Sequence, residues 1–352
     1  MNTVVLPRAA GTMIHSILRA AVRDRVVLVF MLGLLALGVL DAAQLPVSLR
    51  FVAGALAGIA PFVVLAMAIA AFASASGADR LIARAFSGNP GRTVVLASIV
   101  GALSPFCSCG VIPLIAAMLR AGVPLAPVMA FWLASPIMDP EMFVLTAAGV
   151  GVGFAIAKTV AAVGMGLIGG IAVRALERAG GLRNPLAGAG YASSGGGFDP
   201  QAPVSVQWRF WEQPDRRERF RRESLHTGAF LLKWLTVAFL AESLMVAYVP
   251  AASVASLVGG GSAFAIPLAA VVGVPAYLNG YAAIPLISGL LEMGMSTGAA
   301  LAFATAGAVS CIPAAIAVWA LVRRAVFALY IVLGLGGAML SGVLYQMSGA
   351  PI

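Results

Sequence analysis

Charge is what this chain of 352 residues has little of: Asp, Glu, Lys and Arg make up 10% of it, against 61% hydrophobic residues. Soluble domains carry about 25% charged residues, so a water-soluble globular domain is excluded. The mean hydropathy is +1.00, and several apolar runs approach the ~20 residues that span a bilayer. Together they predict a polytopic helical membrane protein. Cysteine is as sparse. Three residues cannot form a disulfide framework, and none lies in a polar loop. There are two histidines, His15 and His226, and both fall near predicted helix starts, as interfacial residues do. No Gly-x-x-x-x-Gly-Lys-Ser/Thr loop occurs, so ATP does not drive anything through this chain. The net charge of +9 is no nucleic-acid footprint, because nearly all the basic residues are Arg in loops, where they report topology. Glycine is abundant, at 40 residues, as expected where transmembrane helices pack closely.

In chain order, Arg8, Arg19, Arg23 and Arg25 precede the apolar run Val26–Leu40. The charged region is too long for a signal peptide and more spans follow, so residues 1–50 read as an interfacial segment and an uncleaved first helix. Phe51–Ala75 is a second span, and Arg80, Arg84 and Arg92 form a basic loop. Thr93–Leu119, Gly122–Val150 and Gly153–Val173 are apolar, and together 51–173 make a first transmembrane repeat. Residues 174–227 hold nine Arg and six acidic residues around Ser193-Ser194-Gly195-Gly196-Gly197, and predict a solvated cytoplasmic linker. Arg216, Arg217, Arg219, Arg221 and Arg222 lead into the span Phe230–Val249, and residues 228–352 make a second repeat.

The stretch that organises the chain is Ser104-Pro105-Phe106-Cys107-Ser108-Cys109-Gly110-Val111-Ile112-Pro113. Two prolines and a glycine bracket two of the three cysteines, so a continuous helix is not expected there. Broken backbone at membrane depth is tolerated where it is buried in protein or lines a cavity. A second break is expected at Ser135-Pro136-Ile137-Met138-Asp139-Pro140-Glu141.

The second half echoes the first at a fixed offset of 172. Ile112-Pro113-Leu114-Ile115 matches Ile284-Pro285-Leu286-Ile287. Leu119, Gly122, Ala130, Phe131 and Ala134 match Leu291, Gly294, Ala302, Phe303 and Ala306, giving 9 identities in 23 positions. Cys107 and Cys109 then fall opposite Asn279 and Tyr281, and Asp139 opposite Cys311. Charge parity says what kind of repeat this is. Three apolar segments separate the Arg80–Arg92 loop from the linker, yet both should face the cytoplasm. One segment in each half must therefore enter and leave by the same face, and we favour 93–119 in the first. The expected fold is all-α, with two inverted-topology repeats whose broken helices meet at the midplane, plus one extra N-terminal helix.

Two thiols spaced i, i+2 on a non-helical turn can face one ligand, and thiolates select soft metals and metalloids. Cys311 reaches the same region if a pseudo-two-fold axis passes through it. The candidate substrate-binding residues are Pro105, Cys107, Ser108, Cys109, Asn279, Tyr281 and Cys311. Asp139 and Glu141 are either proton-coupling carboxylates or hydrated residues near a hairpin end. Lys158 either snorkels or pairs with a carboxylate. No resident metal and no cofactor are expected.

Ser-Pro-Phe-Cys-Ser-Cys-Gly-Val-Ile-Pro with the downstream Ser-Pro-Ile-Met-Asp-Pro-Glu resembles the predicted permease family of ArsP/YraQ type. The resemblance covers most of the chain outside 174–227. It implies a multi-pass permease of the bacterial inner membrane and, for the ArsP branch, efflux of trivalent organoarsenicals such as methylarsenite. It would make Cys107 and Cys109 the substrate-contacting thiols. Two other functions stay open. One is a transporter of a metal ion or small metabolite with structural cysteines. The other is a membrane thiol–disulfide enzyme, which would more usually carry Cys-x-x-Cys. The expectation is no enzyme. The partners implied are a small-molecule substrate and the lipid bilayer, with no nucleic acid and homo-oligomerisation open.

Overall fold

The computed structural model describes residues 25–78, 88–104, 108, 110–182, 185–186, 206–248, 264–276 and 280–349. All its regular structure is helical. The helices are α1 (Arg25–Leu40), α2 (Gln44–Ser76), α3 (Pro90–Leu103), α4 (Ile112–Arg120), α5 (Leu125–Ala134), α6 (Pro140–Gly149) and α7 (Val152–Arg178). After the 174–227 region begins come a 3-10 turn (Phe210–Glu212), α8 (Pro214–Tyr248), α9 (Ala265–Ala276), α10 (Gly280–Glu292), α11 (Thr297–Ser310), α12 (Ile312–Leu321) and α13 (Arg324–Ser348).

Among the described residues α7, α8 and α13 are each long and apolar enough to cross a membrane. Two more candidates are bent. The two parts of α2 meet at 45° after Pro61, and α11 and α12 meet at 41° at Cys311. Proline removes a helix hydrogen bond and clashes with the preceding turn, which accounts for the first bend. The second span starts earlier than Phe51, at Gln44, because Pro46 is tolerated in a first turn. The arginine-rich stretch and the span after it are one continuous helix, α8. It opens with Pro214, pre-set for a first turn, and Asp215, whose charge suits a helix N-terminus.

The internal repeat extends beyond the sequence identities. At an offset of 172 the starts of α5, α6 and α7 coincide with those of α11, α12 and α13, and the end of α4 with that of α10. Both short helices α4 and α10 end on the same turn. Gly122 (φ 84°) and Gly294 (φ 92°) are left-handed, where glycine carries no Cβ penalty. Gly122 N donates to Leu119 O and Val123 N to Met118 O, as Gly294 N does to Leu291 O and Met295 N to Leu290 O.

Close packing repeats too. A Cβ on Gly101 would lie 2.8 Å from Phe131 O, and one on Gly273 would lie 2.6 Å from Phe303 O. Gly170 packs on Val94 and Ala130, and Gly342 on Ile266 and Ala302. Lipid tails are as apolar as side chains, so helices in a membrane associate largely through such close approach of small residues. It buries α5 along its whole length and every α11 residue after Thr297. Equivalent residues of the two halves also touch each other: Met165 of α7 packs against Gly337 of α13. Farther along, the Phe154 and Tyr345 rings meet edge to face at 6.1 Å, so α7 and α13 run antiparallel.

Named contacts sort the helix termini into two ends. At one end Gly91 lies beside Arg174, Leu125 N donates to Glu177 Oε1 (3.1 Å), and Arg120 pairs with Glu223. There too Arg216 Nη1 donates to Ala75 O (2.9 Å) and Arg323 N to Pro185 O (2.9 Å). At the other end Tyr248 OH donates to Asp41 Oδ2 (3.0 Å), Gly298 N donates to Gln346 Oε1 (2.9 Å), and Ile266 packs on Gly342. The start of α3 and the end of α4 thus share the arginine-rich end. The start of α9 and the end of α10 share the opposite one.

Candidate functional site

Three helix breaks meet inside the bundle. Ser104 ends α3 in an extended conformation (φ −83°, ψ 131°), as a residue before proline must. Its hydroxyl donates to Gly101 O (2.7 Å) and lies 3.2 Å from Ser135 Oγ, which joins the first break to the second. Ser108, in the middle of the cysteine motif, lies with its Oγ 3.2 Å from Cys311 Sγ. That contact joins the first break to the one between α11 and α12. The α6 helix, which begins at the second break, runs to α10, where Gly149 packs against Ile284.

Of the sequence-derived candidates, the structure brings Ser108 and Cys311 together. Cys311 is buried, extended (φ −53°, ψ 154°) and N-terminal to α12, and its side chain does not cap that helix. Pro105, Cys107, Cys109 and Asn279 lie outside the described residues. Tyr281 is in the first turn of α10, and its side chain is likewise outside the description. Cys107 and Cys109 are the sequence neighbours of Ser108. Among the described residues no group of three His, Cys, Asp or Glu is placed to hold a metal ion.

Asp139 is half-buried and caps α6, its Oδ1 accepting from Met142 N at 2.8 Å. It is also the carboxylate whose charge acts on Lys158, a residue of α7 that is only 2% exposed. A buried ammonium is costly, and the nearby negative charge of Asp139 offsets part of that cost. Glu141, two residues on, is exposed in the first turn of α6.

The end of α11 is held from outside. Tyr330 OH donates to Val309 O, and the Tyr330 ring packs on Trp132 at 5.0 Å. Next to it, Ser310 Oγ and Trp132 Nε1 are buried with no hydrogen-bond partner among the described residues. Buried polar atoms without partners are rare and call for a ligand or water. Sequence reasoning missed the Ser104–Ser135 link and these two atoms, because a lone Ser or Trp in an apolar run carries no signal of its own.

The predicted permease family ArsP_1 matches residues 45–347. The UPF0718 protein YcgR of Bacillus subtilis (strain 168) is 32% identical over 80 residues, which are 23% of this chain and 27% of that protein. The match thus spans about a quarter of its relative's length. No solved structure matches. The match covers every described helix from α2 to α13, including all three breaks, and the chain belongs to the ArsP_1 family of predicted permeases, as a multi-pass membrane protein.

Proposed function

We propose that this chain is a bacterial inner-membrane permease that exports a small thiophilic substrate by secondary, proton-coupled transport, with trivalent organoarsenicals such as methylarsenite as the best fit. The observation that carries the reading is the contact of Ser108 Oγ with Cys311 Sγ, Ser108 being the residue between Cys107 and Cys109 in the sequence. Thiolates bind trivalent arsenic and other soft centres, and three on broken backbone give such a centre its ligands without a helix in the way. Pro105, Asn279 and Tyr281 are proposed to complete the lining.

The halves are read as inverted repeats, residues 51–173 and 228–352, joined by a linker at 174–227 and preceded by the helix of 1–50. The arginine-rich end lies in the cytoplasm by the positive-inside rule, and the α3–α4 segment is the re-entrant hairpin of the first half. Asp139, set against buried Lys158, is the first coupling carboxylate, with exposed Glu141 beside it.

The test is uptake into everted vesicles of a panel of trivalent arsenicals, antimonite, copper(I) and zinc, normalised to protein level. Cys107→Ser and Cys109→Ser should each abolish arsenical transport, and the double variant should be no worse than either, because both thiols act on one ligand. Full transport by the double variant rejects the thiol mechanism. Transport of zinc or copper alone moves the function to the metal-ion reading.

A further inference from the structure

Glu242 belongs to none of these contacts, and it is the most conspicuous ionisable group left in the membrane part of the fold. It lies in the apolar part of α8, on the buried stripe that runs Leu231, Leu235, Ala238, Glu242. The residue is 4% exposed, and among the described residues nothing hydrogen-bonds its Oε2. Neighbouring Ser243 is taken up elsewhere, its hydroxyl 2.9 Å from Ser48 Oγ of α2.

No described cation offsets a charge at this position. The helices most closely packed against α8 are α1, α2, α9 and α12, and α4 meets it through Arg120 and Glu223 at the arginine-rich end. Neither α9 nor α12 contains an ionisable residue, α1 has only Arg25 at its start, and α2 has only Arg50, which is exposed. The packed 3-10 turn, with Glu212 next to Arg209, lies at the arginine-rich end with the start of α8. Along α8 itself the nearest ionisable groups are Tyr248, bonded to Asp41, and Lys233, nine residues or about 13 Å away. Asp139 stands against Lys158, whereas Glu242 stands against none of these. A carboxylate buried without a cation is strongly disfavoured, while the neutral acid is tolerated.

We propose that Glu242 is a proton-binding site of the permease, carrying one proton as the neutral acid when closed off and releasing it to water when the bundle opens on that side. This rests on the transporter reading but not on its substrate. The proton moves to or from water, and no other bond changes.

The test is labelling of the full chain in nanodiscs with N,N′-dicyclohexylcarbodiimide, which adds to protonated carboxyls in apolar surroundings, followed by peptide mass spectrometry. Glu242 should be the main membrane-embedded site of modification, with labelling falling several-fold as pH rises. Glu242→Asp should keep a pH-dependent label, and Glu242→Gln should lose it while retaining a monodisperse fold. In proteoliposomes Glu242→Gln should lose the proton movement that accompanies transport. No label on Glu242 at any pH overturns the proposal, as does protection by sodium at constant pH. A labelled Glu242 in a protein that moves no arsenical would sink the substrate and leave the proton site standing.

Discussion

The two fully packed helices α5 and α11 are followed by breaks of different length and different chemistry, residues 135–139 in the first half and Cys311 alone in the second. Each break leads into a ten-residue helix starting at equivalent positions, Pro140 and Ile312. In the first half the residue before that start is Asp139, which caps its helix and faces a buried lysine. In the second half it is Cys311, which caps nothing and lies against Ser108. The backbone frame is shared and the ligating atoms are not. Packing glycines reproduce the frame at an offset of 172, so the frame needs only small residues at a few positions. The chemistry needs particular side chains, and it differs between halves.

The largest effect should come from the shared frame. A Cβ at Gly101 or Gly273 runs into a backbone carbonyl, which no rotamer change relieves. Gly101→Val and Gly273→Val should each cost upwards of about 1–3 kcal/mol and sharply reduce the yield of monodisperse protein. Gly164→Ala, with nothing within 4 Å of its Cβ, should leave yield and thermal unfolding unchanged. A chain that tolerates valine at 273 but not at 101 would break the equivalence of the halves.

Next comes the charged break. Asp139→Ala removes a cap worth about 1 kcal/mol and strands Lys158. Losing the Asp139 charge also leaves the buried Lys158 ammonium less compensated, so the loss should exceed that of the cap alone. Asp139→Ala with Lys158→Met should therefore be more stable than Asp139→Ala alone, read as a thermal shift in detergent. Cys311→Ser, at the equivalent position, should shift unfolding far less. Equal losses at 139 and 311 would mean that both breaks are only structural.

Much of the frame was legible in the sequence. The run Ile-Pro-Leu-Ile, repeated with its proline, fixed the offset, and Gly122 and Gly294 prove to be the left-handed ends of matching helices. The breaks were legible because proline restricts both itself and the residue before it. The glycine contacts were not, since in a chain with 40 glycines those that touch a carbonyl look like the rest. Of the site, Cys311 was named as a third thiol that a pseudo-two-fold axis would bring to the same region, and Lys158 was noted with its pairing left open. Glu242 was passed over, although an acidic residue within an apolar span is itself a signal.

The smallest effect should come from the ends of α4 and α10, where the halves carry opposite charges at equivalent positions. Arg120 ends α4 at the arginine-rich end and pairs with Glu223 of α8, with the two side chains 23% and 25% exposed. Its counterpart Glu292 ends α10 at the other end and is exposed. The two equivalent positions thus carry opposite charges at opposite ends of the bundle. The Arg120–Glu223 pair is partly solvated, so it contributes at most about 1 kcal/mol. Arg120→Ala should lower the unfolding temperature only slightly, and Arg120→Glu with Glu223→Arg should restore most of that loss. The swap leaves the net charge of that end unchanged, so cysteine-labelling topology at Ser194 should stay cytoplasmic. If Arg120→Ala alone unfolds the protein, the pair is part of the frame and the hairpin is anchored through α8 rather than by its glycine contacts.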